Sequence, residues 1–259
     1  MSNSSVLDQI IEGVLADVKT RERPISELIA QLPNAPKMRD ANGALSKTGT
    51  RLIAEVKRSS PSKGALAEIN NPAELALKYQ SGGADVISVL TEGRRFNGSI
   101  ADLISVRSAV NIPILRKDFI VTEFQVYESR LLGADLILLI VAGLTKSQLT
   151  DYYQLATELG MSVLVEVHDE LEAARAVELK AKIIGINSRN LKTLEVSSKN
   201  FELIFPHLPT NVIKVAESGI STRSDVEEVE KLGANAILVG ETLVKSTDPE
   251  SKIKELLNR

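Results

Sequence analysis

Ammonium, carboxylate and amide groups stand where short apolar runs end in this chain. Leu52-Ile53-Ala54 leads into Glu55 and Lys57, and Ile112 to Leu115 leads into Arg116, Lys117 and Asp118. Val163-Leu164-Val165 reaches Glu166, Ile183 to Ile186 reaches Asn187 and Arg189, and Val212 to Ala216 reaches Glu217. Lysines and glutamates so placed are the inventory of proton-transfer chemistry. Side chains two apart on a strand share a face, so Glu55 should lie beside Lys57 and Asn187 beside Arg189. Because the apolar residues run directly up to the charges, those charges face an interior, where they are costly unless paired or used. This is the pattern of an enzyme.

Two later segments point to an anion. Glu217-Ser218-Gly219-Ile220 and Gly240-Glu241-Thr242-Leu243 each follow an apolar run. A backbone freed of side chains approaches oxyanions closely. In barrels of alternating strands and helices, the last two strand-to-helix loops commonly hold a phosphate. A phosphorylated small-molecule substrate is expected.

The elements that must position these groups are regular. Strands are expected at 51–57, 85–90, 112–117, 135–141, 162–167, 182–187, 211–216 and 236–240. Helical patterns lie near 71–81, 98–109, 122–132, 145–159, 168–179, 199–206, 221–232 and 249–258. An echo supports the count: Gly83-Ala84-Asp85, Gly133-Ala134-Asp135 and Gly233-Ala234-Asn235 each separate a helical pattern from an apolar run. Each glycine suits the left-handed residue that ends a helix. Asn71-Pro72 and Asp248-Pro249 pair a cap with a first-turn proline, and Thr145, Asp169 and Ser221 are further candidate caps. Eight near-continuous apolar strands alternating with eight helices give an α/β fold, a (β/α)8 TIM barrel. An open doubly wound sheet is the alternative, weakened by the missing glycine-rich turn after the first strand.

Residues 1–48 stand outside that count, as an N-terminal helical extension to a barrel spanning 49–259, in one domain overall. Val6, Ile10, Ile11, Val14, Leu15 and Val18 have helical spacing, and a second segment, Ile25 to Leu32, follows Pro24. A helical cover over one end of the barrel is expected, with direct participation in the site as the other possibility.

Composition narrows the function. The net charge of -3 supplies no positive field for nucleic acid. With no cysteine, disulfides, thiolate catalysis and iron–sulfur clusters are excluded. The longest uncharged apolar run, Leu136 to Leu144, is far shorter than the roughly 18 residues of a membrane span. Asp8, Glu12 and Asp17 interrupt the first apolar stretch, so it does not read as a signal peptide. A cytoplasmic protein is expected, a monomer that binds no nucleic acid or membrane. His168 and His207 read as satisfied loop histidines. No metal-ligand spacing or cofactor motif appears, so no metal and no cofactor are expected.

Ala54-Glu55-Val56-Lys57-Arg58-Ser59-Ser60-Pro61-Ser62-Lys63-Gly64 resembles the first-strand signature of the indole-3-glycerol-phosphate synthase family. Val89-Leu90-Thr91-Glu92 with Phe96 and Gly98-Ser99, Leu115-Arg116-Lys117-Asp118-Phe119 and Leu164-Val165-Glu166-Val167-His168 resemble later segments of the same family. Ile186-Asn187-Ser188-Arg189-Asn190-Leu191, Ala216-Glu217-Ser218-Gly219-Ile220 and Leu238-Val239-Gly240-Glu241 complete the series in order. The resemblance implies a lyase of tryptophan biosynthesis. It would close 1-(2-carboxyphenylamino)-1-deoxyribulose 5-phosphate to the indole ring with loss of carbon dioxide and water.

On that resemblance Lys117 polarises the ketone, Glu166 is the base, and Lys57 assists as acid or electrostatic stabiliser. Glu55 and Glu217 orient the lysines, and Asn187 bonds a sugar hydroxyl or the ketone oxygen. Arg189 suits the anthranilate carboxylate, and Phe119 and Leu191 wall the aromatic ring. Ser60 reaches the substrate from the first loop, while Ser218, Gly219, Gly240 and Glu241 frame the phosphate. At Glu241 a carboxylate would repel that phosphate, leaving binding to the backbone N–H. Arg94-Arg95 reads as a solvated surface pair, and the long segment Arg58 to Asn70 as a mobile lid. The competing readings are a Schiff-base aldolase using Lys117 or Lys57 and a non-catalytic barrel that binds phosphorylated ligands.

Overall fold

In the computed structural model, residues 5–189 and 195–259 are described. The eight apolar runs form parallel strands: β1 (Arg51–Val56), β2 (Val86–Leu90), β3 (Ile114–Lys117), β4 (Leu136–Ile140), β5 (Ser162–Val167), β6 (Ile183–Asn187), β7 (Ile213–Glu217) and β8 (Ala236–Val239). Each pairs with the next, and β8 pairs back onto β1, so the sheet is a closed barrel. Among the described residues three α-helices precede it, α1 (Val6–Arg21), α2 (Ile25–Gln31) and α3 (Ala41–Leu45). The crossovers are α4 (Pro72–Gly82), α5 (Ile100–Ala109), α6 (Glu123–Leu132), α7 (Lys146–Glu158), α8 (Glu170–Glu178), α9 (Lys199–Ile204) and α10 (Arg223–Lys231). A one-turn α11 (Glu241–Val244) and α12 (Pro249–Leu257) follow β8. The expected (β/α)8 architecture is the one observed.

Strand parity sorts the core into two layers. Ile53, Val86, Leu115, Leu136, Leu164, Ile183, Val215 and Ala236 point into the barrel. Their neighbours Leu52, Ile87, Ile114, Ile137, Val163, Ile184, Ala216 and Ile237 point outward onto the helices. Burial on both faces is why these strands read as unbroken apolar runs. Two strands, β3 and β7, begin more than one residue later than expected. Pro113, just before β3, has no N–H to give the ladder, and the N–H of Val212, just before β7, is taken by the Pro209 carbonyl in a turn.

The Gly-Ala-Asp echo has a structural meaning at the base. Gly83, Gly133 and Gly233 adopt φ of 104°, 84° and 93°, the left-handed region that ends a helix. The acidic or amide residue two places on then secures the preceding strand. Asp85 accepts the Leu52 N–H at 3.0 Å, Asp135 the Ile114 N–H at 2.9 Å and Asn235 the Lys214 N–H at 2.9 Å. Other strand starts use other acceptors: the Lys182 N–H, just before β6, donates to the Tyr153 hydroxyl at 3.3 Å. Thr145 and Asp169 cap α7 and α8 as expected. The cap of α10 is Thr222 rather than Ser221, whose N–H and hydroxyl bind the Asp225 carboxylate instead.

The N-terminal segment runs from the mouth of the barrel to its base. Val6, Leu7 and Ile10 of α1 line the cavity at the mouth. Arg21, at the other end of α1, pairs with Glu128 of α6 at 2.8 Å, and α2 packs along the same helix. Below it, the Arg39 N–H donates to Asp135 at 2.7 Å, and Asn42 donates to the Ser162 hydroxyl at the start of β5 at 2.9 Å. Ala41 and Leu45 then bury themselves in the barrel interior. The segment therefore touches both ends.

Candidate active site

A cavity of 520 Å³ opens at the carboxyl ends of the strands, within the usual range for small-molecule sites. Glu55, Lys57, Lys117, Glu166, Asn187 and Glu217 all line it. So do Ser60, Phe119, Arg189, Ser218, Gly219, Gly240 and Glu241. Leu191 lies outside the described residues. On β1, β3, β5 and β7 the inward column begins apolar and turns polar at its end. Ile53 gives way to Glu55, Leu115 to Lys117, Leu164 to Glu166 and Val215 to Glu217. Strand β4 stays apolar, and its Leu138 and Ile140 supply a greasy wall.

Lys117 is the hub. Its ammonium lies 2.9 Å from Glu166 and 3.4 Å from Glu217. A second pair, Lys57 with Glu55, sits beside it at 2.8 Å. Ser88 donates to the other oxygen of Glu55 at 3.2 Å. Asn187 donates to Glu166 at 3.2 Å and accepts from the Ser218 hydroxyl at 2.9 Å, linking the polar centre to the loop after β7.

These contacts set the charges. Burial opposes the charge on Lys117, but Glu166, Glu217 and Glu55 outweigh it and raise its pKa. Burial disfavours the Glu166 carboxylate as well, yet Lys117 and His168 hold it well below the usual carboxylate range. Glu217 goes the other way. Burial, with repulsion from Glu166 and Glu55 set against attraction to Lys117, pushes it up to about 8. Its Oε1 is buried and has no hydrogen-bond partner among the described residues. The site thus holds one carboxylate kept ionised and one kept protonated at neutral pH, a separation that assigns acid and base roles.

Two glycines make room for these groups. A Cβ at Gly185, mid-strand in β6, would fall 2.0 Å from Glu217 Oε1, and one at Gly240 would fall 2.7 Å from Glu55 Oε1. Gly185 went unnoticed in the sequence, although a glycine inside an apolar strand signals a close approach. Gly219, at φ 77°, is needed for its left-handed turn.

Over the mouth lies a small hairpin in which Ser59–Ser60 pairs with Gly64–Ala65. Arg58 anchors its base through Asp102 and the Ile69 carbonyl. At its tip Lys63 reaches Glu241 at 2.8 Å, and Lys245 meets the same carboxylate at 2.8 Å. Glu241 is therefore held between two lysines that also line the cavity, which sequence spacing did not show.

Other charges near the strand ends serve the frame. Arg116 points outward, fully buried, onto Asp118 at 3.0 Å and Glu128 at 2.9 Å. Glu92 accepts the N–H groups of Arg94, Arg95 and Phe96 and so caps its own loop. Arg94 is exposed and pairs with Asp17 of α1 at 2.6 Å, outside the cavity. Sequence reasoning does not place His168 at the site, and it gives direct participation of the N-terminal segment only as the second possibility, whereas Val6, Leu7 and Ile10 line the cavity. His168 lies 3.2 Å from Glu166.

Comparison with known proteins agrees with this geometry. The family profile described as indole-3-glycerol phosphate synthase matches residues 7–256. The indole-3-glycerol phosphate synthase of Rhodococcus opacus (strain B4) is 55% identical over 256 residues, covering 98% of this chain and 95% of that one. That of Mycobacteroides abscessus is 52% identical over 259 residues, with 99% and 95% covered. Among solved structures, 3-hexulose-6-phosphate synthase from Salmonella typhimurium superposes with a TM-score of 0.65 at 15% identity, over 81% of this chain and 97% of that one. Thiamine phosphate pyrophosphorylase from Pyrococcus furiosus gives 0.61 at 17% identity, over 84% and 96%. At that identity the two structures share the fold alone. The extent and identity of the sequence matches place the chain in the indole-3-glycerol phosphate synthase family.

Proposed function

We propose that this cavity closes 1-(2-carboxyphenylamino)-1-deoxyribulose 5-phosphate to indole-3-glycerol phosphate, and that each step falls to a distinct side chain. The observation that carries this reading is the Lys117 ammonium held between Glu166 and Glu217 at the mouth of a closed barrel. As the aromatic carbon attacks the ketone, Lys117 supplies the proton that the ketone oxygen must gain. Loss of carbon dioxide restores the aromatic ring. Once Lys117 has given up its proton, much of the charge that depresses Glu166 is gone. Glu166 then becomes the stronger base and accepts the proton that the ring-closed amine loses from the methylene carbon beside its nitrogen. Lys57, steadied by Glu55, assists departure of the hydroxyl as water, and Glu217 keeps its proton in reserve beside Lys117.

The apolar wall of Phe119, Leu138 and Ile140 suits the aromatic ring, and Arg189 the carboxylate that leaves as carbon dioxide. Ser60 contacts the substrate from the hairpin. The loops carrying Ser218, Gly219, Gly240 and Glu241 receive the phosphate, with Lys63 and Lys245 released from Glu241 to meet it.

The chain acts as a cytoplasmic monomer, with 1–48 as an extension of the 49–259 barrel. These groups account for the proton movements without a metal or cofactor, so turnover should survive exhaustive chelation. No described helix is long and apolar enough to cross a membrane. A Schiff-base aldolase needs a neutral amine, whereas Lys117 is held as an ammonium. The test is incubation with the carboxyphenylamino-deoxyribulose phosphate while indole fluorescence is followed. Lys117→Ala should remove the signal, by about 1000-fold or more in rate, while the ligand still binds. Borohydride trapping of a lysine adduct would favour the aldolase instead.

A further inference from the structure

His168 has no part in the roles above, yet its ring is wedged between two carboxylates. It follows β5, two residues beyond Glu166. Nε2 lies 3.2 Å from Glu166 Oε1, at ion-pair distance though off the line of a hydrogen bond, and Nδ1 lies 3.1 Å from Glu172 Oε2. Glu172, on α8, is fixed in turn by the main-chain N–H of His168 at 2.8 Å. Asn200 of α9 donates to the His168 carbonyl at 3.2 Å. A neutral imidazole has a single donor nitrogen, so a carboxylate at each nitrogen calls for an imidazolium.

We propose that His168 and Glu172 form a positioning pair, in which the imidazolium, braced by Glu172, holds the Glu166 carboxylate in place while Lys117 turns to the substrate. The proposal rests on the role assigned above to Glu166. Without such a brace, Glu166 would follow the Lys117 ammonium toward the ketone and lose the geometry a base needs. Among the described residues, the ring faces Glu166 from β5 and Glu172 from α8. Lys117 on β3, Asn187 on β6 and Glu217 on β7 cluster around Glu166, and α9 brings the Asn200 amide. Burial opposes the charge on His168, but Glu166 and Glu172 outweigh it and raise its pKa to about 10. The cations of Lys57, Lys117 and His168 then balance Glu55, Glu166 and Glu172, which leaves Glu217 free to keep its proton.

The test combines nitrogen-15 NMR of the substrate-free protein with kinetics. The chain has two histidines, His168 and His207, so one variant assigns both. Both ring nitrogens of His168 should stay protonated at pH 8, and Glu172→Gln should move its titration to lower pH. His168→Gln should lower kcat by roughly 10- to 100-fold with KM nearly unchanged. Glu172→Gln should cause a smaller loss in the same direction, and the double variant should be no worse than His168→Gln. A neutral His168 at pH 7, or wild-type kcat in folded His168→Gln, overturns the proposal. If His168→Gln does not fold, the spectrum of Glu172→Gln decides. A wild-type protein that forms no indole product defeats the functional reading, whereas the NMR arm still judges the pair.

Discussion

The two ends of the barrel treat buried polar groups in opposite ways. At the base, Asp85, Asp135 and Asn235 each accept a strand N–H, and Asp135 also takes the Arg39 N–H and pairs with Arg107. At the mouth, Glu55, Glu166 and Glu217 crowd around two lysines, and Glu217 Oε1 has no hydrogen-bond partner among the described residues. Groups at the base are consumed by the fold itself. Those at the mouth are held in mutual tension, at a cost to stability that a ligand can relieve. Substitutions at the base should therefore cost stability, and substitutions at the mouth should cost turnover.

Gly185→Ala gives the largest expected separation. Its Cβ would meet Glu217 Oε1 at 2.0 Å, so the carboxyl must leave its place while the apolar strand persists. Turnover should fall by about 100-fold with a near-native circular dichroism spectrum. Full activity would mean that Glu217 has no fixed role. At the base, Asp135→Ala should cost about 3 kcal/mol of stability by denaturant unfolding. It leaves two N–H groups and Arg107 without their acceptor. Its turnover should be little changed at temperatures where it is folded, and a selective loss of kcat would blur the contrast between the ends.

A third test uses pH. The folded-state pKa of Glu217 is raised to about 8, above its unfolded value near 4.3. Its stabilising contribution is therefore complete below the unfolded value and is lost as pH rises through the folded one. Glu217→Gln, which mimics the protonated form, should melt increasingly above wild type as pH rises from the unfolded value to about 8, with the gap level beyond that, while being less active. A gap in Tm that closes with rising pH would remove the claim of tension. The smallest effect is expected from Lys63→Met at the hairpin tip. Lys63 and Glu241 are both partly exposed, so KM should rise by about fivefold at most, equivalent to about 1 kcal/mol, with kcat retained.

Legibility followed the range of the interaction. Alternation, left-handed glycines and caps are local, and they were readable: α7 and α8 start at the caps named from sequence, and the Gly-Ala-Asp echo marked real helix-to-strand turns. The misplaced cap at Ser221 is a contest between adjacent hydroxyls that only the position of Asp225 resolves. Lys63 and Glu241, 178 residues apart, form a bond that no spacing encodes. The apolar spacing in α1 showed a buried face but not that the face would be the wall of a cavity.

The amino-acid sequence by itself determined the closed alternating barrel and the chemical types at its strand ends. Its periodicities are written residue by residue, and parity turns them directly into inward and outward faces. Only the tertiary structure decided which groups carry protons. A pKa depends on desolvation and on charges reached through space, so Glu166 and Glu217, alike in sequence, are driven apart by where Lys117 and His168 come to rest.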